Sequence, residues 1–385
     1  MIRQVLRGLA VLLLCGLFAA PLAAAERGIV MGVVLEPPHL DPTAGAAAAI
    51  DEVVYANVFE GLTRIDRNGA VQPALAESWT VSEDGLTYRF SLQDGVTFHD
   101  GTPLTAADVV FSLDRARADD SVNAQKALFE PIESVAAEGD DTVVVTLKRP
   151  TGGFLFNLGW GDVVVVSPKT AGDNKSNPIG SGPFKFGRWV KGDRVELQRY
   201  DGYWGEPAKL DTATFKFISD PAAAAAAMLA GDVDAFANFP APETLAQFEA
   251  DPRFKVVIGS TEGETILATN NTRAPFDDIR VRRAMAHALD RDAVIVGAMY
   301  GYGTPIGSHF APHHPAYVDL TGRYPRDLDA ARALLAEAGY ADGFDATLKL
   351  PPPSYARRGG EIIAADLAKI GIRLELIPVE LSLIH

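Results

Sequence analysis

The sequence predicts an α/β protein of more than one lobe, on three observations. Helix-period apolar stripes alternate with short period-2 or β-branched runs along most of its 385 residues. At ~150 residues per domain, that length suggests two or three domains. A dense turn cluster, Asn177-Pro178-Ile179-Gly180-Ser181-Gly182-Pro183, marks an expected crossing of the chain between domains.

The N-terminus reads as a targeting segment. Arg3 and Arg7 precede an apolar run from Leu9 to Ala20, and Ala23-Ala24-Ala25 supplies an A-x-A cleavage site, so residues 1–25 are expected to be a signal peptide. Cys15, the single cysteine, falls inside that leader, which leaves the expected mature chain without thiol chemistry. Hydrophobic content of 48% with 22% charged residues is ordinary for a soluble globular protein. A formal charge of −15 argues against an extended nucleic-acid surface. No later run reaches ~18 apolar residues, so the mature chain is expected to be soluble.

In chain order, Ile29–Leu35 is a strand candidate stopped by Pro37-Pro38. After Asp41-Pro42 comes a run of very small side chains, residues 43–49. It reads as the start of a helix, or as backbone that something must approach closely. The pattern predicts helix through Tyr55–Leu62, with Gly61 at its C-cap. Leu86, Tyr88, Phe90 and Leu92 alternate as a half-buried strand, and Val96 with Phe98 offers a second. Thr105 and Asp108 predict a capped helix whose apolar side carries Val110 and Phe111. Phe129, between Ser121 and Ile132, reads as a core residue or a cleft aromatic. Thr142–Leu147 is a strand, and the β-branched run Val163–Val166 predicts another, buried on both faces. Trp160, between Gly159 and Gly161, is placed to stack on a ligand or to pack. Asp220-Pro221 and Gly231 bracket an alanine-rich helix, expected to pack closely on a neighbour. A strand is expected at Asp232–Asp234, followed by the loop Asn238-Phe239-Pro240 at a cleft edge. Val281, Ala284, Met285, Ala288 and Leu289 form an amphipathic stripe, with Arg280, Arg282, Arg283 and His287 off it. Helices over Asp327–Gly339 and Glu361–Ile370 precede a strand at Ile372–Ile377.

Several of these segments resemble one family closely. LAESW (75–79), DGLTYRFSLQDGVTFHDGTP (84–103) and LTAADVVFSLDR (104–115) are similar to the signature region of the peptide/nickel class, family 5, of extracytoplasmic solute-binding proteins that feed ABC importers. Tyr55–Leu62, Gly180–Phe184, Tyr203-Trp204 and residues 270–291 (NNTRAPFDDIRVRRAMAHALDR) continue the resemblance. It implies a two-lobed periplasmic-binding-protein-like (type II) fold with an inserted extra domain. The implied first domain is residues 26–66 with 178–262, the second 67–177 and the third 263–385. The resemblance places ligand between the first and third domains and carries main-chain pairing with a peptide onto Ala46 and Ala48. Added to Phe129, Trp160, Asn238 and Phe239, these are the expected ligand-binding residues. It further implies a periplasmic monomer that captures di- or oligopeptides, closes by hinge motion and docks on permease subunits, with no cofactor. A nickel or metal-chelate receptor of the same family is the alternative. Leu381-Ser382-Leu383-Ile384-His385 departs from the family's wording, and the third domain is expected to be incomplete.

No enzyme chemistry is legible. There is no Gly-x-x-x-x-Gly-Lys-Ser/Thr loop, and Gly301-Tyr302-Gly303 lacks the setting of a dinucleotide site. Ser181 lacks the Gly-x-Ser-x-Gly spacing of a nucleophile elbow. Pro312 and Pro315 break the helical spacing that would bring His309 and His313 together, so this histidine group reads first as a surface loop. A periplasmic hydrolase remains a distant alternative.

Overall fold

The computed structural model describes residues 27–261, 263–314 and 316–379. The leader expected at residues 1–25 and Leu381–His385 lie outside them. The described chain opens with β1 (Gly28–Val33), a 3-10 turn at Pro42–Ala44 and α1 (Ala48–Val54). A hairpin of β2 (Thr63–Ile65) and β3 (Val71–Pro73) leads to β4 (Ala76–Val81), β5 (Thr87–Leu92) and α2 (Ala106–Arg117). The short α3 (Lys126–Phe129), β6 (Ile132–Glu138), β7 (Thr142–Leu147) and α4 (Phe154–Asn157) follow. Next come β8 (Phe184–Val190), β9 (Arg194–Arg199), β10 (Thr212–Phe217), α5 (Pro221–Ala230), β11 (Ala235–Phe236) and α6 (Leu245–Ala250). The last group is α7 (Ile279–Ala288), α8 (Arg291–Met299), α9 (Leu328–Glu337), β12 (Phe344–Leu350), α10 (Ser354–Ala368) and β13 (Ile372–Pro378).

Besides the β2–β3 hairpin, three sheets and three apolar clusters organise the described elements. A mixed sheet in the order β11-β1-β10-β9-β8 packs Val33, Leu197 and Phe215 against Ile50 and Val53 of α1. The antiparallel sheet β4-β5-β7-β6 sets the inward side chains Tyr88, Phe90, Val143 and Val145 against Val109 and Leu113 of α2. β12 and β13 pair in parallel through α10, and their cluster takes Val281, Ala284 and Met285 of α7 with Leu335 of α9. Period-2 burial on the strands and 3.6-period burial on the helices are what one-sided packing requires.

Several expectations are corrected. The helix expected through Leu62 stops at Val54: Ala56 takes φ 57° and the chain turns. Gly61 is no C-cap; a Cβ there would stand 2.8 Å from the Leu158 carbonyl. Val96 and Phe98 are core residues beside a single bridge, Thr97 to Pro103. Val163–Val166 are buried but run as an extended connection, with Val165 N–H donating to the Glu60 carbonyl (2.9 Å) and Val166 N–H to Ser112 Oγ (2.9 Å). Side-chain and main-chain partners outside any ladder satisfy this segment, so β-branched composition did not mean strand. The inward side of α2 is Ala106, Val109, Leu113 and Ala116, while Phe111 points to the other cluster, against the first sheet. On α5 only Ala224 is buried, so its alanines meet solvent rather than a close neighbour. The following strand is Ala235–Phe236, not Asp232–Asp234.

Candidate functional site

α1 is held by its inner face and presents its outer one. Ala49, Ile50, Val53 and Val54 are buried, whereas Ala48, Asp51 and Glu52 share the other side at helical spacing. The approach to the helix is tight. Asp41 accepts from Thr43 N–H (2.9 Å) and Thr43 Oγ (2.6 Å), and Arg115 of α2 pairs with Asp41 at 3.5 Å. A Cβ on Gly45 would stand 2.8 Å from the His39 ring, so a larger residue there would push that ring aside. Ala46 and Ala48 are exposed, and Ala47 between them is extended (φ −78°, ψ 115°).

Two of the expected ligand residues converge on this outer face. Tyr55 OH donates to the Gly159 carbonyl at 2.5 Å, and Gly161 lies so close to Asp51 that a Cβ would be 2.6 Å from its carboxyl carbon. This clamp leaves the Trp160 indole 43% exposed. On the other flank the Asn238 side chain hydrogen-bonds Glu52. Phe239 instead joins an edge-to-face series, 5.4 Å from Phe236 and 5.2 Å from Phe248. Phe129 is buried at 2% exposure in the cluster beneath α2, away from the face of α1.

The acidic groups of this face carry unusual charge costs. Burial pushes the Asp51 carboxyl up to about 7, and the nearby charge of Asp162 adds to the shift. Asp51 Oδ1 is buried without a hydrogen-bond partner. Burial likewise raises Asp162 to about 6, against its own main-chain hydrogen bond. Desolvation raises Glu52 while the Asn238 bond opposes it. Sequence reasoning missed all three acids. Asp51 and Asp162 are far apart in the chain, and no spacing rule joins a helix acid to a glycine-flanked loop.

A second polar assembly pins the crossing between the first two sheets. The buried Glu60 carboxylate accepts from Ser181 Oγ (2.9 Å), Tyr203 OH (2.9 Å) and Trp204 Nε1 (3.0 Å). Burial raises its pKa and these three donors counter the shift. His99 donates its main-chain N–H to the Gly180 carbonyl and accepts Gly180 N–H at Nδ1 (3.3 Å). Its Nε2–H therefore donates to the Gly182 carbonyl (2.9 Å), and burial holds this neutral ring down to about 4. Ser181 thus serves as one of three donors that satisfy the buried Glu60 carboxylate.

His309 Nδ1 lies 2.7 Å from Glu264, and the His314 ring stacks on Phe310. Among the described residues no group of three His, Cys, Asp or Glu side chains is arranged to hold a metal ion. No helix of the described residues is long and apolar enough to cross a membrane.

Comparison with known proteins agrees with this architecture. The family model "Bacterial extracellular solute-binding proteins, family 5 Middle" matches residues 70–383. The glutathione-binding protein GsiB of Salmonella paratyphi A is 34% identical over 376 residues, covering 96% of this chain and 72% of that protein. The oligopeptide-binding protein AppA of Bacillus subtilis, solved with a nonapeptide, superposes with a TM-score of 0.85 at 29% identity, covering 93% of this chain and 76% of that one. AgaA of A. tumefaciens R10, solved with agropinic acid, gives a TM-score of 0.83 at 30% identity, covering 92% and 73%. The two-lobed α/β fold is that of type II periplasmic binding proteins. The chain belongs to the bacterial extracellular solute-binding proteins of family 5, the binding components of ABC importers, and is not an enzyme.

Proposed function

We propose that this chain is a periplasmic receptor for peptides, exported by the leader at residues 1–25 and acting as a monomer that delivers ligand to ABC permease subunits. In this reading residues 26–66 with 178–262 form the first domain, 67–177 the second and 263–385 the third, with ligand between first and third. The supporting observation is the outer face of α1, where exposed Ala46 and Ala48 leave main chain accessible beside Asp51, Glu52, Asn238 and the Trp160 indole. Small side chains admit a peptide backbone, and an indole accepts varied side chains without selecting one. The glutathione- and nonapeptide-binding relatives favour peptides as the ligand class.

Isothermal titration with glutathione, dipeptides and a nonapeptide tests the reading. Micromolar or tighter binding of at least one is expected, with Trp160→Ala weakening it about ten-fold at unchanged Tm. Binding of agropinic acid or nickel–histidine with no response to any peptide would overturn it.

A further inference from the structure

A cavity of ≈ 340 Å³ opens on the other side of the Trp160 loop, between α2 and the Asp41–Thr43 approach. That volume is within the ~300–1,000 Å³ of small-molecule sites. Its mouth lies at Asp120, Ser121 and the exposed Val122, and its floor is Leu113, Phe129, Asp162 and Val163, all buried. More of the wall is hydrocarbon than polar, and the charged residues Arg115 and Asp162 line it along with Asp120 at the mouth. Arg115 is already neutralised by Asp41, whose side chain is 2% exposed, and also donates to Thr43 Oγ. Asp162 is only 6% exposed and has no cation partner among the described residues. Asn123 Nδ2 donates to the Asp162 main-chain carbonyl (2.9 Å), which fixes the backbone at the cavity wall, while the carboxyl takes a hydrogen bond from its own main chain.

A buried carboxylate without a counter-charge is costly, and an apolar cavity around it suits a molecule that brings both a cation and a hydrocarbon body. We propose that this cavity, on the α2 side of Asp162, is a second ligand site and that it binds a primary amine with an apolar body. The ammonium group sits at Asp162 and the hydrocarbon lies against Leu113 and Phe129. Asp120 at the mouth adds a second negative charge on the path of entry. Because the walls come from both α2 and the Thr43 turn, an occupant contacts the first and second sheets' units together.

Thermal unfolding of the full chain with phenethylamine, against its uncharged twin 2-phenylethanol, tests this at pH 8. The amine is expected to raise Tm by about 2 °C or more at saturation, and the alcohol to do so far less. Asp162→Asn removes the charge, and Ala118→Trp blocks the cavity from a half-exposed position at the end of α2; the amine-specific rise should vanish in both while both variants unfold cooperatively without ligand. Equal responses to amine and alcohol, no response to either, or a rise that survives either substitution would overturn the proposal. Peptide titration of Ala118→Trp, which lies outside the α1 face, is expected to be unchanged, so failure here is distinguishable from failure of the peptide-receptor reading.

Discussion

At the scale of single residues, Asp51 shows how a binding protein stores a charge it cannot comfortably hold. Burial raises both Asp51 and Asp162, and the charge of Asp162 further opposes ionisation of Asp51. Both folded carboxyls hold protons more tightly than the ordinary value of 3.8, so the folded state binds more protons than the unfolded one. The associated stability is complete below pH 3.8 and is lost as pH rises through 7. Asp51→Asn should therefore raise Tm at pH 8, with the gain shrinking towards pH 4; a constant difference across that range would count against the assignment. Trp160 and Asn238 were legible as exposed loop residues beside α1, because glycine flanks and a turn-rich loop are local signals. Asp51 and Asp162 were not, because what distinguishes them is burial together, a property of the fold. Of the two readings left open for Phe129, the structure takes the core one, since a lone apolar aromatic is more often buried.

At the scale of elements, stop and start chemistry proved the most readable part of the chain. α5 begins where expected, with the Asp220 carboxylate accepting from Ala223 N–H (2.7 Å), and ends at Gly231, whose φ of 78° suits glycine. Because ten residues of alanine-rich helix bury little else, this helix depends on its ends. Asp220→Ala is expected to cost about 1 kcal/mol and to speed amide exchange within α5 selectively. Unchanged exchange there would mean that packing, not the cap, holds it. α7 was equally legible, its stripe Val281, Ala284, Met285 and Ala288 being the buried set. Composition misled at Val163–Val166, where burial without a ladder looks the same in sequence as a central strand. It misled again at Tyr55–Leu62, where helical spacing continued past the residue at which the chain turned.

At the scale of the whole molecule, four of the segments that resemble the family meet at one place. Glu60, His99, Gly180–Gly182 and Tyr203-Trp204 lie far apart in sequence and form one hydrogen-bonded assembly. His99 is held neutral with its pKa near 4, below its ordinary 6.5, so its stabilising bonds are present above pH 6.5 and are lost as pH falls towards 4. Urea unfolding should show a loss on the order of 2 kcal/mol from this group between pH 7 and 5, absent in His99→Gln. Identical pH slopes for the two proteins would refute that role. The same place has a consequence for chain connectivity. Gly182 N–H donates to the Val58 carbonyl (3.0 Å) and Phe184 N–H to the Asn57 carbonyl (2.9 Å), while a Cβ on Gly180 would stand 1.9 Å from Val58 O. The long excursion between these residues thus leaves and returns through one seam, with its two ends a hydrogen bond apart. Since loop-closure entropy grows only with the logarithm of loop length, almost any amount of structure can hang from such a seam at little extra cost. Glycine at 180 and 182, rather than the length of what lies between, is what keeps the seam shut.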